Sequence, residues 1–172
     1  MKYKKIESKA EIYACKCHEK INHLYDFHPY RYHLKMASDI GERFIHLIPI
    51  KDRKNVRAAI WCHDLIEDAH QTYNDIKRNT NEIVAEYTYA LTNEKGRNRK
   101  DRANDKYYKE LKEYKHASFV KLCDRIANIE YSKFIHSSMF DMYKKEYRIF
   151  KKKLYDERWN ELWEELEKLI KE

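Results

Sequence analysis

A buried helix that runs directly into a cluster of polar side chains constrains the fold of this chain more than any other feature. Four residues recur at the spacing of one helical face: Val56, Ala59, Ile60 and His63. The helix leads into segment 61–68, WCHDLIED, which is apolar enough to lie inside the protein. Polar side chains in such a place are costly to bury unless they are paired or bind a ligand. The fold must therefore bring a partner or a ligand to the end of this helix.

The polar residues of this segment have the spacing of a metal site. Asp64 lies about 100° around the helix from His63, and near a helix end both side chains can turn to one ion. Glu67 and Asp68 follow one helical turn later. An imidazole and a carboxylate suit a divalent cation of intermediate hardness, and two further carboxylates could move protons beside it. The alternative is a run of surface charge with one hydrogen-bonded core histidine.

Very few residues would interrupt a helix in this chain. It has two Gly and two Pro in 172 residues, and Val is scarce while good helix formers are common. The length is that of one domain. We therefore expect an all-α protein, a single helical bundle over residues 1–172 with a metal site buried between helices. The helix at about 156–171 would pack on the bundle or form a dimer contact.

Apolar periodicity and capping residues predict the positions of the helices. We expect helices at about 8–25, 30–44, 81–92, 116–131 and 156–171, a central helix after Pro49 and a short helix after Thr72. Ser8 and Asp52 are the expected N-caps of the first and central helices. Thr72 and Asp75 resemble a capping box, with Asp in place of the usual Glu or Gln.

Two further helices carry polar side chains on their buried faces. The helix at 116–131 is apolar on most sides, so it should be buried, and Asp124 lies in its middle. A buried Asp is rarely unpaired, and a metal ion would explain this one. Asn128 lies one turn further on the same face and could hydrogen-bond a substrate. His33 lies on the apolar stripe of the helix at 30–44.

Segment 93–102 is polar and basic and contains one of the two glycines. It is either a solvated linker or a mobile loop that closes over phosphates. Its basic residues are Arg97, Arg99, Lys100 and Arg102. Because the whole chain has a formal charge of +7 and a pI near 9.0, a polyanionic ligand is expected. Both signs of charge are interspersed and no groove-reading motif is present, which makes nucleic acid a less favoured ligand than a nucleotide.

The sequence predicts neither a membrane segment nor a disulfide. No apolar run approaches the roughly 20 residues of a membrane span, and the N-terminus lacks an apolar stretch behind its charges. We expect a cytoplasmic protein without a membrane partner, either a monomer or a homodimer. The cysteines include no CxxC pair and are expected to be reduced and structural. They are Cys15, Cys17, Cys62 and Cys123.

Taken together, these residues form an H…HD…D pattern that resembles the HD phosphohydrolase superfamily. Within it, the chain is most similar to the hydrolase domain of RelA/SpoT proteins and to the small alarmone hydrolases. Three motifs carry the resemblance: PYxxH at 29–33, AAxxxHDxxED at 58–68 and KLxDRxxN at 121–128. The similarity covers about residues 10–155, and we expect no synthetase domain.

The resemblance implies a role for each motif residue. The implied metal ligands are His33, His63, Asp64 and Asp124. Two imidazoles and two carboxylates leave open positions on an octahedral ion, so Mn²⁺ is the first choice, with other divalent transition metals as alternatives. Glu67 and Asp68 would activate or position the attacking water. The implied substrate-binding residues are Tyr30, Lys121, Arg125 and Asn128. Arg97 and Arg99 are further candidates because of the basic character of segment 93–102.

The residues that would select the substrate differ from the family pattern. Leu34 replaces the usual Pro after the first ligand histidine. On an ungapped alignment, Asn22 and His23 replace an Arg-Lys pair that the alarmone hydrolases use around guanine and phosphates. Glu130 and Tyr131 stand in the usual Arg-Thr region, and a carboxylate there is unfavourable for phosphate. We therefore expect the chemistry to transfer better than the specificity.

The expected activity is metal-dependent removal of the 3′-pyrophosphate from (p)ppGpp, the nucleotide of the stringent response, or from an adenine analogue such as ppApp. One alternative is removal of the 2′-phosphate from NADPH or of a phosphate from another nucleotide. A second alternative, from a different class, is an inactive nucleotide-binding or regulatory protein. A third is that the net charge serves a nucleic acid.

Overall fold

A computed structural model describes residues 5–94 and 96–171, except for the side chain of Lys100. The helices are α1 (Ile6–Lys20), α2 (Arg31–Arg43), α3 (Ile50–Cys62), α4 (Leu65–Asp68), α5 (Tyr73–Asn79), α6 (Glu82–Leu91), α7 (Arg99–Arg102), α8 (Asp105–Glu113), α9 (Ala117–Phe134), α10 (Ser138–Leu154) and α11 (Asn160–Lys171). Strands β1 (Leu24–Tyr25) and β2 (His28–Pro29) form an antiparallel hairpin between α1 and α2. The expected all-α class is confirmed.

Helix α9 occupies the centre of the bundle because apolar side chains cover most of its circumference. It contacts α2, α3, α6, α8, α10 and α11. Its buried apolar residues include Phe119, Val120, Leu122, Cys123, Ile126, Ala127 and Ile129. A polar side chain in the middle of such a helix has little access to bulk water. The buried Asp124 therefore needs partners within the protein or a bound ligand.

Helix α3 lies beside α9 and packs against α1, α2 and α6 as well. From Asn55 to Cys62 it is buried at every position except Arg57. Its approach to α2 depends on Gly41, where a Cβ atom would overlap the side chain of Ile60. The close packing of α2, α3 and α9 sets the distances between the polar side chains that these helices carry inward.

The predicted helices at 30–44, 81–92 and 116–131 are confirmed as α2, α6 and α9. The capping box is also confirmed, since Thr72 Oγ1 accepts from the backbone N–H of Asp75 and an Asp75 carboxylate oxygen accepts from the N–H of Thr72. The prediction of Ser8 as an N-cap is wrong, because α1 already begins at Ile6. The prediction for Asp52 is also wrong. Pro49 is the N-cap of α3, and Asp52 lies in the first turn.

Helix α1 ends at Lys20, earlier than the predicted 25. Asn22 and Asp26 adopt positive φ angles of 52° and 50°, which Asn and Asp tolerate better than other side chains with a Cβ. These two residues turn the chain into the β1–β2 hairpin. The hairpin places Tyr25 next to α2 and α9, as the aromatic contacts of Tyr25 with His33 and Tyr131 show.

Helix α11 packs on α9 through a buried apolar face formed by Leu162, Trp163 and Leu166. Just before it, the indole N–H of Trp159 donates to Ser118 Oγ at 2.8 Å. Within the described ranges, no helix is long and apolar enough to cross a lipid bilayer.

Candidate metal centre and adjoining cavity

The four predicted metal ligands come from three parts of the fold and meet at one point. His33 lies in the first turn of α2, and Asp124 lies in the middle of α9. His63 and Asp64 lie between the end of α3 and the start of α4, where the change of direction lets both side chains face the same space. We call this set of four residues the ligand cluster. Both histidines and Asp124 are buried, and Asp64 is partly exposed.

The distances within the ligand cluster are short. His33 Nε2 and His63 Nε2 are 3.2 Å apart. Asp64 Oδ2 lies 2.9 Å from His63 Nε2 and 3.6 Å from His33 Nε2. Asp124 Oδ1 lies 3.3 Å from His33 Nε2 and 3.7 Å from His63 Nε2. His33, His63 and Asp64 each offer a ligand atom within 4.8 Å of the others.

This arrangement fits a divalent metal ion. His63 Nδ1 lies 2.7 Å from the carbonyl oxygen of Ile60. That contact places a proton on Nδ1 and directs Nε2 at the cluster, where it can bind an ion once Nε2 is unprotonated. Two imidazole nitrogens bound at right angles to one ion are about 3 Å apart, close to the separation of His33 and His63. Mixed imidazole and carboxylate donors suit divalent transition metals.

The charges within the cluster favour ionised carboxylates. Burial raises the pKa of Asp124, but Lys121 and the two histidines outweigh this effect and hold it well below its usual range. Lys121 Nζ donates to Asp124 Oδ2 at 2.9 Å, which leaves Oδ1 facing the imidazoles. Burial also lowers the pKa of His63, yet the Asp64 and Asp124 carboxylates raise it well above its ordinary value. The site therefore attracts positive charge.

Tyr30 connects the ligand cluster to the predicted catalytic acids. Its hydroxyl donates to Asp64 Oδ2 and lies 3.3 Å from Asp68 Oδ2. The Tyr30 ring stacks on His23 and His18, with centroid distances of 3.8 Å and 4.4 Å. Burial, followed by the Asp64 charge, raises the pKa of Tyr30, so the hydroxyl remains a donor. Tyr30 therefore holds the Asp64 carboxylate by a hydrogen bond and also lines the cavity.

Glu67 and Asp68 lie on the cavity side of the ligand cluster. Burial raises the pKa of Asp68 to about 7, and the charges of Asp64 and Glu67 add to the shift. Asn93 Nδ2 lies 3.1 Å from both carboxylate oxygens of Glu67. The contact of Asn93 with Glu67 could not be predicted from the sequence, because no local pattern joins two residues 26 positions apart.

A cavity of about 470 Å³ opens beside the ligand cluster. Its lining includes the carboxylates of Asp64, Glu67, Asp68 and Asp124, together with Tyr30 and Lys121. It also includes a set of cations that we call the cationic wall: Arg99, Arg102, Arg125, Lys145 and Lys153. Three aromatic side chains line the cavity as well, namely Tyr107, Tyr108 and Phe150. The cavity therefore combines acidic, basic and aromatic surfaces.

Glu146, which was not predicted from the sequence as a site residue, holds two arginines of the cationic wall. Glu146 accepts from Arg99 Nε at 2.6 Å and from Arg125 Nη1 at 3.0 Å. The Arg125 guanidinium also lies over the Phe150 ring, 4.4 Å from its centroid. Glu146 therefore joins α7, α9 and α10. The spacing of residues 145, 146, 149, 150 and 153 predicts that they share one face of α10. It does not predict that this face borders the cavity.

Two of the predicted substrate-binding residues lie away from this cavity. Arg97 is exposed and is not part of the cavity lining. Asn128 borders a separate, smaller cavity of about 160 Å³. Its side-chain amide donates to Asp124 Oδ1 at 2.5 Å. By contrast, Tyr30, Arg99, Lys121 and Arg125 all border the larger cavity.

The substitutions that depart from the family pattern also have defined surroundings. Glu130 pairs with Arg43 at 2.9 Å, so its carboxylate is neutralised by a cation of this chain. His23 stacks on Tyr30 and its Nδ1 lies 2.9 Å from His18 Nδ1. Asn22 is exposed. None of these three borders the larger cavity among the residues that the structure describes.

No protein-family model matches this chain, and no curated protein is significantly similar to it. Fold and site together define an all-α protein in which a His/Asp group is buried between helices and could hold a metal ion.

Proposed function

We propose that this protein is a metal-dependent phosphohydrolase of the HD type that acts on a nucleotide. The observation that carries the proposal is that two members of the ligand cluster, Asp64 and Asp124, line a cavity that is also lined by five cations of the cationic wall. An anionic substrate and a divalent cation could therefore be bound in the same cavity. The H…HD…D pattern and the HDxxED extension at 63–68 support the same chemistry.

The ligand cluster would hold one divalent cation, with Mn²⁺ as the first choice. When bound, such an ion supplies Lewis acidity towards a phosphate oxygen and lowers the pKa of a coordinated water. His33 and His63 contribute neutral nitrogen donors, and Asp64 and Asp124 contribute negative charge. Tyr30 and Lys121 each bind one of the carboxylates and fix its direction.

Among the carboxylates that line the cavity, Asp68 is the candidate for proton transfer. Its pKa of about 7 lies near neutral pH, where a carboxyl group can both accept and return a proton. Glu67, oriented by Asn93, would position the attacking water with its carboxylate. The reaction proposed is cleavage of a phosphate ester or pyrophosphate carried by a ribose hydroxyl.

The rest of the cavity favours a nucleotide over a small phosphate ester. A volume of about 470 Å³ lies in the range of sites for ligands of nucleotide size. Tyr107, Tyr108 and Phe150 offer aromatic surface to a base, and the cationic wall would bind further phosphates. (p)ppGpp or ppApp is the leading substrate class, on the resemblance of the three motifs.

A hydrolysis screen tests this function. Metal-free full-length protein, supplemented with Mn²⁺, is incubated with ppGpp, pppGpp, ppApp, NADPH and deoxynucleoside triphosphates, and the products are separated by chromatography. We expect loss of pyrophosphate from an alarmone with the wild type and none with Asp64→Ala. Asp39→Ala is the matched control, because Asp39 is an exposed carboxylate on α2 that pairs with Lys35. Equal turnover by wild type and Asp64→Ala would refute the mechanism.

Removal of a single sugar phosphate, as from NADPH, is the second candidate. Its motive is that Asn22, His23 and Glu130 stand where the alarmone hydrolases carry residues that bind guanine and phosphates. In this structure His23 stacks on Tyr30 and Glu130 pairs with Arg43. Release of inorganic phosphate from NADPH alone in the same screen would select this candidate over the alarmone activity.

A further inference from the structure

Tyr25, at the end of β1, contacts one member of the ligand cluster directly and is linked to a second through Asn128. Its ring stacks on the imidazole of His33, with the centroids 4.8 Å apart and the planes 18° from parallel. Its hydroxyl reaches Asp124 indirectly through Asn128. His33 and Asp124 belong to different helices, so Tyr25 joins two parts of the cluster that are far apart in sequence.

The connection to Asp124 is a chain of two hydrogen bonds. The Tyr25 hydroxyl donates to Asn128 Oδ1 at 2.9 Å. Asn128 Nδ2 then donates to Asp124 Oδ1 at 2.5 Å, and also to the backbone carbonyl oxygen of Asp124 at 3.0 Å. With its oxygen engaged by Tyr25, the amide must present its N–H groups to the carboxylate. The bonded atom, Oδ1, is the oxygen that faces both imidazoles.

The stack on His33 replaces the usual support of a metal-binding imidazole. Such an imidazole generally donates its second ring N–H to an acceptor that fixes the ring, as His63 Nδ1 does with the carbonyl of Ile60. His33 Nδ1 is buried and has no hydrogen-bond partner within the described part of the chain. The face of the His33 ring is instead held by Tyr25.

We infer that Tyr25 is a positioning residue of the metal centre, which orients His33 through its ring and Asp124 through Asn128. The inference rests on the metal centre of the proposed function, but not on the identity of the substrate. It assigns Asn128 to the support of Asp124 instead of to the sugar of a nucleotide. The geometry agrees, because both ends of the Asn128 amide are engaged within the protein.

A double-mutant cycle on metal affinity tests this role. Mn²⁺ binding to the full-length, metal-free protein is measured by calorimetry for the wild type, Tyr25→Phe, Asn128→Ala and the double variant. The visible spectrum of bound Co²⁺ reports the ligand geometry in each. Tyr131→Phe is the matched control, because this buried neighbour of Tyr25 pairs with Asp26 rather than with the ligand cluster. Circular dichroism checks that each variant retains its helices.

We expect Tyr25→Phe and Asn128→Ala each to weaken Mn²⁺ binding by about 10–100-fold, the usual effect of removing a group that supports a ligand. Since the hydroxyl acts through Asn128, adding Tyr25→Phe to Asn128→Ala should cause little further loss. The Co²⁺ spectrum should change in these variants and not in Tyr131→Phe.

Wild-type affinity in Tyr25→Phe, or fully additive losses in the double variant, would overturn the inference while leaving the metal centre in place. A wild type that binds no divalent ion would overturn both the metal centre and the inference. A wild type that binds Mn²⁺ but hydrolyses none of the nucleotides, with the cycle as expected, would overturn the proposed function and support the role of Tyr25.

Discussion

The side-chain amide nitrogen of Asn93 lies 3.1 Å from each carboxylate oxygen of Glu67, and the backbone N–H of Asn93 lies 3.4 Å from one of them. Asn93 begins the basic segment 93–102, whereas Glu67 belongs to α4 and lines the cavity. This contact fixes the direction of the Glu67 carboxylate. It also ties the position of the basic segment to the candidate catalytic residues.

Asn93→Ala should therefore lower turnover without removing the metal. We expect kcat to fall about tenfold, since general acid–base and orienting groups contribute roughly 10²–10⁴-fold and Glu67 itself remains. Steady-state kinetics with the substrate from the screen, together with Mn²⁺ affinity, measure the effect. Asn74→Ala is the control, because Asn74 is exposed on α5. Unchanged kcat in Asn93→Ala would show that the contact has no catalytic role.

Asp68→Asn should raise the stability of the metal-free protein at alkaline pH and lower its catalytic activity. The folded-state pKa of about 7 is raised above the ordinary value of 3.8. The destabilising effect of its charge is absent at low pH, where the carboxyl is protonated in both states. It develops as pH rises from 3.8, where the unfolded carboxyl ionises, to about 7, where the folded one does. Metal-free Asp68→Asn should therefore be more stable than wild type at pH 8, by about 1–2 kcal/mol once partial exposure is allowed for, and no more stable at pH 3.

Urea unfolding of the chelator-treated proteins at both pH values measures this difference. The same variant should lose on the order of 10²–10⁴-fold in turnover with Mn²⁺, as expected for the loss of a proton-transfer group. Lower stability of Asp68→Asn at pH 8 would contradict the raised pKa. Full activity would contradict the catalytic assignment.

The ionised Asp52 carboxylate should stabilise the folded protein near neutral pH and lose this effect in acid. Its carboxylate accepts from Lys115 Nζ at 2.9 Å and from His116 Nε2 at 3.0 Å, and these bonds lower its pKa to about 2. A lowered folded-state pKa stabilises the fold above the ordinary value and loses this effect as pH falls through about 2. Asp52→Asn should therefore be less stable than wild type at pH 6, by about 1–2 kcal/mol once solvent screening of its partly exposed ion pairs is allowed for.

The two proteins should converge in stability as pH falls from about 4 to 2, which denaturant titrations across this range will show. Asp39→Asn, an exposed carboxylate paired with Lys35, serves as the comparison. A constant difference between wild type and Asp52→Asn at every pH would mean that the ion pairs of Asp52 do not set its pKa.

Lys145→Ala tests whether the cationic wall binds phosphate. Lys145 borders the cavity, whereas its neighbour Lys144 lies over the Phe140 ring and does not border it. Loss of one charge-assisted contact, worth about 1.5 kcal/mol, should raise KM roughly tenfold and leave kcat nearly unchanged. Lys144→Ala is the matched control. Equal KM values for the two variants would show that Lys145 does not bind a phosphate of the substrate.

Local sequence patterns predicted much of the helical framework. The helical face of Val56, Ala59, Ile60 and His63 is buried as expected, because helical spacing alone determines which side chains share a face. The capping box of Thr72 and Asp75 also depends only on residues close in sequence. Ser8 and Asp52 failed as caps, since a capping side chain does not by itself fix where a helix begins.

The supports of the site could not be predicted in this way. Tyr25 and Asn128 are 103 positions apart, and Asn93 and Glu67 are 26 apart, so these pairs exist only once the helices are packed. The same holds for Glu146, whose partners lie on α7 and α9. The motif resemblance predicted the four candidate metal ligands but not the residues that orient them.

Anomalous diffraction from crystals of the full-length protein grown with Mn²⁺ tests the central claim most directly. A single strong peak is expected at the ligand cluster, within about 2.0–2.3 Å of His33 Nε2, His63 Nε2 and one oxygen each of Asp64 and Asp124. Crystals of Asp64→Ala should lose or weaken it. A wild-type map with no peak there, or with peaks only at surface carboxylates, would contradict the metal centre on which the proposed function depends.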